Sequence, residues 1–255
     1  MITKNELKYF ASLKQKKQRK QENKFLAEGE KIVLEGINAK HPCELVLMTS
    51  EFFNRNENLT GVIKKRQIRI EIVKNNELEK LSDTKTPQGI IAFFESRKLE
   101  FDLKSFEKDP LIVFLDNISD PGNVGTILRT CDWFGIKSVL LSKNSAEYLN
   151  PKVVRSSMGS IFHLSILENA DKYLQLLKEK GFKLICSDLD GKNIFKFNTP
   201  GKSVLVLSNE SSGPSSEILM MADEKVTIPG KGNAESLNVA SAAAIILAQL
   251  TTGRS

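Results

Sequence analysis

From residue 110 onward, short apolar runs alternate with segments of helical spacing, and this alternation constrains the fold more than any other feature of the sequence. A short, continuously apolar run is typical of a strand buried on both faces. Strands that alternate with helices predict an α/β fold with a mostly parallel sheet, which binds its ligands at the carboxyl ends of the strands. The predicted strands are 111–118, 138–142, 183–188, 203–209 and 224–229, and the predicted helices are 122–135, 171–181 and 236–250.

The N-terminal part of the chain predicts a second, smaller α/β domain. A polar stretch that ends in Pro110 follows it. We therefore expect one domain at 1–97, a linker at 98–109 and the parallel-sheet domain at 110–255. In the smaller domain the predicted helices are 4–20 and 30–37, and the predicted strands are 43–50, 68–74 and 89–96.

The net charge of +6 falls entirely within one short segment of the chain. Residues 1–24 contain eight lysine or arginine residues against two glutamates, and acidic and basic residues balance in the remainder. A basic run is usually a solvated face, but this concentration favours a polyanion such as RNA as the partner. A membrane-binding segment would need an apolar face opposite the lysines, which 13–24 lacks. The residues that we expect to contact RNA are Lys16, Lys17, Arg19 and Lys20.

The sequence also argues against several classes of protein. Its apolar stretches are far shorter than the roughly 20 residues that a membrane span needs, and the N-terminus lacks the apolar segment of a secretory signal, so we expect a cytoplasmic location. Three widely spaced cysteines and two histidines form no metal-binding pattern, and we expect no metal. The turn after residue 118 lacks the G-x-G-x-x-G fingerprint, which argues against a nucleotide-dependent oxidoreductase.

Three polar, glycine-bearing loops, at 116–130, 207–213 and 228–244, lie at the ends of predicted strands. Each has an ordinary explanation by itself: a Pro-Gly turn is usually just a turn, and a serine before a helix is usually an N-cap. Together their order and spacing are specific. Among the polar side chains that they carry are Asn123, Arg129, Asn209, Glu210, Glu235, Ser236 and Asn238.

In this order and spacing the three loops resemble the three signature motifs of the SpoU family of RNA ribose 2′-O-methyltransferases. DNISDPGNVGTILRT resembles the first motif, LSNESSG the second and IPGKGNAESLNVASAAA the third, and NPKVVRSSMGSIFHL (150–164) is similar to the segment between the first two. In addition, KFLAEGEKIVLEGI (24–37) and TPQGIIAFFE (86–95) resemble the ribosomal-protein-like RNA-binding domain that many members carry in front. The resemblance thus covers nearly the whole chain.

The resemblance implies a trefoil-knotted, SPOUT-type domain that binds S-adenosylmethionine, forms a homodimer and methylates a ribose 2′-hydroxyl. Arg129 matches the arginine of the first motif, which could act as a general base or as a clamp on the adjacent phosphate. We favour the clamp, because a guanidinium is effectively always protonated in proteins. By motif position the catalytic residues would be Asn123, Arg129, Glu210, Ser236 and Asn238, and the cofactor would contact the backbone of Leu207, Ser208, Ile228 and Leu237.

The second motif departs from the family pattern at two positions, where Ser208 and Ser211 replace glycines. A serine forced into a left-handed backbone would cost roughly 1 kcal/mol or more. The departure bears on cofactor affinity.

Several functions remain open at this stage. The Ser-Leu-Asn-Val segment and the residues of the first motif favour ribose over base methylation, and the RNA-binding domain favours ribosomal over transfer RNA. A transfer RNA 2′-O-methyltransferase, an RNA base methyltransferase and a non-enzymatic RNA-binding assembly factor are the alternatives. The sequence does not identify the modified nucleotide.

Overall fold

The computed structural model describes residues 2–84, 86–97, 102, 106, 108–210 and 212–252. The chain forms two compact units. The first unit contains the described residues up to 97 together with 149–162, and the second contains the described residues of 102–148 and 163–252. From the sequence we expect 149–162 in the parallel-sheet domain, whereas in the structure this segment packs with the first unit. Most of the predicted linker, 98–109, lies outside the described residues.

Helices and strands follow one another along the described chain in two series. The first series is α1 (Lys4–Ser12), α2 (Lys16–Glu22), β1 (Lys24–Glu28), α3 (Glu30–Asn38), β2 (Cys43–Thr49), α4 (Ser50–Arg55), α5 (Glu57–Lys65), β3 (Arg69–Val73), α6 (Asn75–Leu81) and β4 (Ile90–Glu95). The second series is β5 (Leu111–Asp116), α7 (Pro121–Trp133), β6 (Ser138–Leu141), α8 (Pro151–Ser156), β7 (Ser165–Leu167), α9 (Leu174–Glu179), β8 (Lys183–Asn193), β9 (Ser203–Ser208), α10 (Ser216–Met221), β10 (Glu224–Thr227) and α11 (Val239–Thr251).

The first unit is built on a mixed sheet with the strand order β1-β4-β2-β3 among the described residues. Strand β4 is antiparallel to both β1 and β2, and β2 is parallel to β3. The predicted helix 30–37 and the three predicted strands are confirmed within one residue or two at each end. Five elements of this unit were not predicted, namely β1, α4, α5, α6 and α8. Four of the five residues of β1 are buried, so this strand lacks the alternation of apolar and polar residues that marks a half-buried strand.

The predicted helix over 4–20 is wrong, because the chain turns between α1 and α2. Leu13 is fully buried at this turn. The guanidinium of Arg19 donates hydrogen bonds to the carbonyl oxygens of Leu13 at 2.9 Å and Lys14 at 2.7 Å. Carbonyls beyond the last turn of a helix need such partners. The buried arginine therefore stabilises the turn between α1 and α2, which the sequence pattern did not predict.

The second unit contains the predicted parallel sheet, with six described strands in the order β10-β8-β9-β5-β6-β7. All five neighbouring pairs are parallel, which confirms this part of the predicted fold. Strands β5 and β9 are buried along their whole length, so their sequences show no alternation. Helix α11 packs against α7 and β9. The trefoil knot that the resemblance implies stays a prediction.

Five elements of the second unit differ from the predictions; two of them are α10, which was missed, and β8, which continues to Asn193 beyond its predicted end at 188. Strand β7 is only three residues long and was missed. The predicted helix 171–181 is shorter, because a single 3-10 turn at Asp171–Tyr173 precedes α9. The predicted helix 236–250 begins at Val239, because Asn238 is its N-cap and accepts a hydrogen bond from the Ala240 amide at 2.9 Å. Among the described residues, no helix has the length and apolarity needed to cross a bilayer.

Candidate active site

The carboxyl ends of β5 and β9 lie side by side in the parallel sheet, with Asp116 paired to Ser208. The first predicted loop leaves β5 at this point, and the second leaves β9. Helix α7 then begins at Pro121, and the Asp120 side chain caps it by accepting from the Asn123 amide at 3.0 Å. A proline at the first helical position and an aspartate before it are typical of a helix start. This start places Asn123 in the first turn of α7.

Three of the predicted site residues form one hydrogen-bonded group, which we call the Asn–Glu–Asn cluster: Asn123, Glu210 and Asn238. The Asn238 side-chain amide donates to Asn123 Oδ1 at 3.0 Å and to Glu210 Oε1 at 3.2 Å. Asn123 Nδ2 donates to the same Glu210 oxygen at 3.2 Å. One residue from each of the three loops thus meets the other two at the carboxyl edge of the sheet.

Glu210 joins this cluster to the start of α11. Its Oε1 also accepts from the backbone amide of Val239 at 2.8 Å, so one carboxylate oxygen receives three donors. A negative charge at a helix N-terminus is favourable, because the first amides of the helix lack intrahelical partners. Glu210 and Asn238 are exposed and Asn123 is half-buried. The cluster is therefore ordered by its own contacts and remains accessible to a substrate.

The structure does not join Arg129 or Ser236 to the cluster. Arg129 lies on the exposed face of α7, and Ser236 lies in an exposed stretch that precedes α11. Within the described part of the chain, neither side chain makes a hydrogen bond or an ion pair with the cluster. Both therefore remain free to contact a substrate.

Asp116 is a site residue that the sequence analysis missed. It is the last residue of β5 and is only 3% exposed. Its carboxylate accepts hydrogen bonds from Ser208 Oγ at 3.2 Å, from the Ser215 amide at 3.4 Å and from Asn117 Nδ2 at 2.8 Å. Burial raises the pKa of Asp116 above its usual value, although the bonds from Ser215 and Ser208 act in the opposite direction. A charged residue that ends an otherwise apolar strand was the signal that could have identified it.

The residues expected to contact the cofactor occupy the carboxyl edge of the same sheet. Leu207 and Ser208 end β9, Ile228 directly follows β10, and Leu237 precedes α11 with 45% of its surface exposed. Ser208 is not among the described residues with a left-handed backbone, so this serine carries no such strain. The other replaced glycine position, Ser211, lies outside the described residues.

Strand β8 lies between β9 and β10 and pairs irregularly with β10. The pairing of β10 with β8 jumps from Cys186 to Lys192, so 187–191 leaves the ladder. A side chain at Gly191 would meet the Val226 backbone at 2.8 Å. Strand ends and an exposed leucine at 237 fit an adenosine moiety, which needs backbone amide and carbonyl partners and an apolar contact.

Three of the four predicted RNA contacts lie at the surface. Lys16, Lys17 and Lys20 are exposed on α2. Arg19 differs, because only 3% of it is exposed and its guanidinium binds the carbonyls at the end of α1. The structure thus assigns Arg19 to the fold of the first unit and leaves the three lysines for a ligand.

The three cysteines are free, and burial raises the pKa of each thiol, to about 12 for Cys43 and Cys186. Such thiols stay protonated at neutral pH and are poor nucleophiles. No three metal-ligating side chains come together within the described ranges.

Both units are similar to known protein families. Residues 110–248 match the SpoU rRNA methylase family. Residues 4–92 match the MRM3-like substrate binding domain. The first match contains all of the Asn–Glu–Asn cluster, and the second contains the exposed lysines of α2.

Individual relatives extend over almost the whole chain. The 23S rRNA (guanosine(2553)-2′-O)-methyltransferase RlmP of Bacillus subtilis is 32% identical over 246 residues, which are 96% of this chain and 95% of the relative. A structure from Porphyromonas gingivalis that is assigned to the TrmH family of RNA methyltransferases has 31% identity and a TM-score of 0.84, and the match covers 100% of both chains. The AdoMet-bound rRNA methyltransferase from Sinorhizobium meliloti has 25% identity and a TM-score of 0.84, with 99% of this chain and 96% of that chain covered.

Proposed function

The chain belongs to the SpoU rRNA methylase family, and from this premise we propose that it transfers a methyl group from S-adenosylmethionine to a ribose 2′-hydroxyl of ribosomal RNA. The observation that carries the proposal is the Asn–Glu–Asn cluster, in which one side chain from each family motif takes part. The name of the Bacillus subtilis relative, a 23S rRNA methyltransferase, supports ribosomal RNA as the substrate. A ribosomal substrate is in turn consistent with the cytoplasmic location that we infer.

Methyl transfer to a ribose needs both positioning and activation of the nucleophile. S-adenosylmethionine supplies an electrophilic methyl group on a sulfonium, and the attacking oxygen must lie in line with the S–CH₃ bond. A ribose hydroxyl is barely ionised at neutral pH, so the protein has to stabilise the developing alkoxide. The roles of the site residues follow from these two requirements.

Judged by the contacts of the described residues, Asn123 is the residue of the cluster that keeps a hydrogen-bond donor for the substrate. A side-chain amide has two N–H groups. Asn238 uses both of them inside the cluster, one toward Asn123 and one toward Glu210. Asn123 uses one toward Glu210. We assign its second N–H to the ribose oxygen, with Glu210 and Asn238 holding the amide in orientation.

Arg129 supplies the positive charge that the cluster lacks. Its exposed guanidinium suits a phosphate next to the target ribose, because it is planar and can donate two parallel hydrogen bonds. In this position it stabilises the developing alkoxide, and the hydroxyl proton passes to water, because the protonated guanidinium cannot accept it. Ser236 lies near the start of α11 and orients the third loop or the hydroxyl. The three exposed lysines of α2 bind the RNA backbone farther from the reaction.

We also propose that the protein is a homodimer. Trp133, the one tryptophan of the chain, lies at the end of α7 and is 84% exposed. Helix α11, which packs on α7, is rich in small residues and permits close approach of a second helix. Burial of Trp133 in a dimer would shift its fluorescence emission to shorter wavelength as the protein concentration rises. A sedimenting species of 28.5 kDa at micromolar concentration, with unshifted emission, would contradict the dimer.

The identity of the methylated atom can be tested with a 2′-deoxy substrate. The target nucleotide is first located by comparing 2′-O-methyl sites in total RNA with and without the gene. Two RNA fragments that contain this nucleotide as ribose or as 2′-deoxyribose are then compared in single-turnover transfer of labelled methyl. We expect equal binding and no transfer to the deoxy fragment, because its nucleophile is absent.

The alternatives predict other outcomes of the same experiment. A base methyltransferase would modify both fragments, since its nucleophile lies on the ring. A non-enzymatic assembly factor would bind both and modify neither, and calorimetry would detect no binding of S-adenosylmethionine. Asn123→Ala serves as the matched variant, because it should bind the ribose fragment and fail to methylate it.

A further inference from the structure

One buried carboxylate holds both ends of the segment that connects β9 to α10, which contains the second loop. Asp116 Oδ2 accepts from the hydroxyl of Ser208, where the loop begins, and from the amide of Ser215, where it ends. The other oxygen, Oδ1, accepts from Asn117 Nδ2, and the Asn117 carbonyl accepts from Asn209 Nδ2 at 3.4 Å. These bonds tie the end of β5 to the loop that follows β9.

The loop between these two ends carries Glu210. It is closed by a hydrogen bond of 2.9 Å from the Gly213 amide to the Asn209 carbonyl, and Gly213 has a φ of +63°, which a glycine adopts readily. This bond joins the described residues on either side of position 211, 208–210 and 212–215, between the two anchors. The position of Glu210 relative to Asn123 and Asn238 therefore depends on the two anchors at Asp116.

We propose that Asp116 is a positioning residue for methyl transfer, which fastens the 208–215 loop and thereby sets Glu210 against Asn123 and Asn238. The proposal rests on the proposed function, since it concerns the geometry of that reaction. It gives Ser208 a role of its own: its hydroxyl supplies one of the two anchors, which a glycine at this position would not.

The pKa of Asp116 shows how its ionisation affects stability. Asp116 has a pKa that is raised in the folded state, so the folded protein binds this proton more tightly than the unfolded chain. Stability from this group is greatest below the unfolded pKa and falls as the pH rises through the folded pKa. At neutral pH the ionised carboxylate therefore costs stability. Asp171 and Glu217 add to this cost by repulsion.

The first experiment uses hydrogen exchange of the free protein, which requires neither cofactor nor RNA. The Val239 amide reports on Glu210, because it donates to Glu210 Oε1 at 2.8 Å. We expect faster exchange in peptides that cover 208–213 and 238–241 in Asp116→Ala, and a smaller change in Ser208→Ala. Asp223→Ala is the matched control, since Asp223 accepts from the Leu184 amide near the opposite end of the sheet. Unchanged exchange at Val239 in Asp116→Ala would overturn the proposal.

The second experiment is a double-mutant cycle on the rate of transfer. We expect Asp116→Ala to lower kcat about 100-fold, as a displacement of the reacting groups by an ångström would. Asp116→Asn, which retains one acceptor oxygen, should restore part of this loss. If Asp116 acts through Glu210, Asp116→Ala should lower kcat little further when Glu210 is already alanine.

The cycle keeps failure of this inference separate from failure of the proposed function. Suppose that the unmodified protein transfers methyl and that the losses of kcat in Asp116→Ala and Glu210→Ala multiply in the double variant. Asp116 would then act independently of Glu210, which would overturn this inference alone. If the unmodified protein methylates no RNA, the proposed function fails, and hydrogen exchange alone then decides whether Asp116 holds the loop.

Discussion

The side-chain amide of Asn238 donates to Asn123 Oδ1 at 3.0 Å across a separation of 115 residues. The same side chain is the N-cap of α11, since its Oδ1 accepts from the amides of Ala240 at 2.9 Å and Ser241 at 3.4 Å. Asn238 thus uses its oxygen to start a helix and its nitrogen to hold the site. The two uses can be separated by substitution.

Asn238→Ser should preserve the helix and lose the reaction. Serine is as good an N-cap as asparagine, but its short side chain brings no amide to Asn123 or Glu210. Asn238→Ala should lower the free energy of unfolding by about 1 kcal/mol, whereas Asn238→Ser should stay close to the unmodified protein. Both should lose most methyl transfer. Denaturation curves and transfer rates on the same preparations test this, and full activity of the serine variant would contradict it.

Arg129→Lys should be nearly as inactive as Arg129→Ala. An ammonium is a point charge and cannot reproduce the two parallel hydrogen bonds of a guanidinium on a phosphate. Because Arg129 is exposed on α7, neither change should alter the free energy of unfolding by more than about 0.5 kcal/mol. Arg66→Lys, at the exposed residue that directly follows α5, is the control. Retention of most activity by Arg129→Lys would mean that charge alone suffices.

Replacement of Lys16, Lys17 and Lys20 by glutamine should make RNA binding less dependent on salt. Each neutralised phosphate contributes roughly 0.7 to 0.9 to the slope of log affinity against log salt concentration. The slope should therefore fall by about 2 to 3 in the triple variant, while cofactor binding stays unchanged. This is a cleaner test than deletion of 1–24, which would also remove the buried Phe10 and Leu13.

Arg19→Gln is the contrasting variant in the same helix. Its guanidinium is buried against the end of α1, so the change should lower stability and leave the salt slope of RNA binding close to that of the unmodified protein. A slope reduced as much by Arg19→Gln as by loss of one exposed lysine would show that the arginine reaches RNA after all.

The first unit should lose stability in mild acid through His41. Burial among Phe25, Phe94 and Phe162 lowers the pKa of His41, and the charge of Arg97 acts in the same direction. The unfolded chain then binds this proton more readily than the folded one, so stability present above the unfolded pKa of about 6.5 is lost as the pH falls. Urea unfolding at pH 7.5 and pH 5.5 should show this loss, and His41→Gln should reduce it. His163→Gln, in the second unit, is the control.

The sequence by itself determined the parallel sheet and the loops that carry the chemistry. Strands such as β5 and β9 are buried on both faces, so burial requires continuous apolar runs such as LIVFL and VLVL, which are visible without a structure. The polar residues after these runs had to lie at strand ends. The family motifs then identified Asn123, Glu210 and Asn238 as candidates, because residues of one loop are neighbours in the sequence and keep a fixed spacing.

Only the tertiary structure decided which of these residues contact one another and which basic side chains are exposed to a ligand. The contact of Asn238 with Asn123, and that of Asp116 with both ends of the 208–215 loop, depend on β9 lying next to β5, a pairing of strands far apart in the chain. The burial of Arg19 depends on a turn that packs Leu13 into the core. Such contacts are set by strand order and by packing across long separations, and neither leaves a periodic pattern in the sequence.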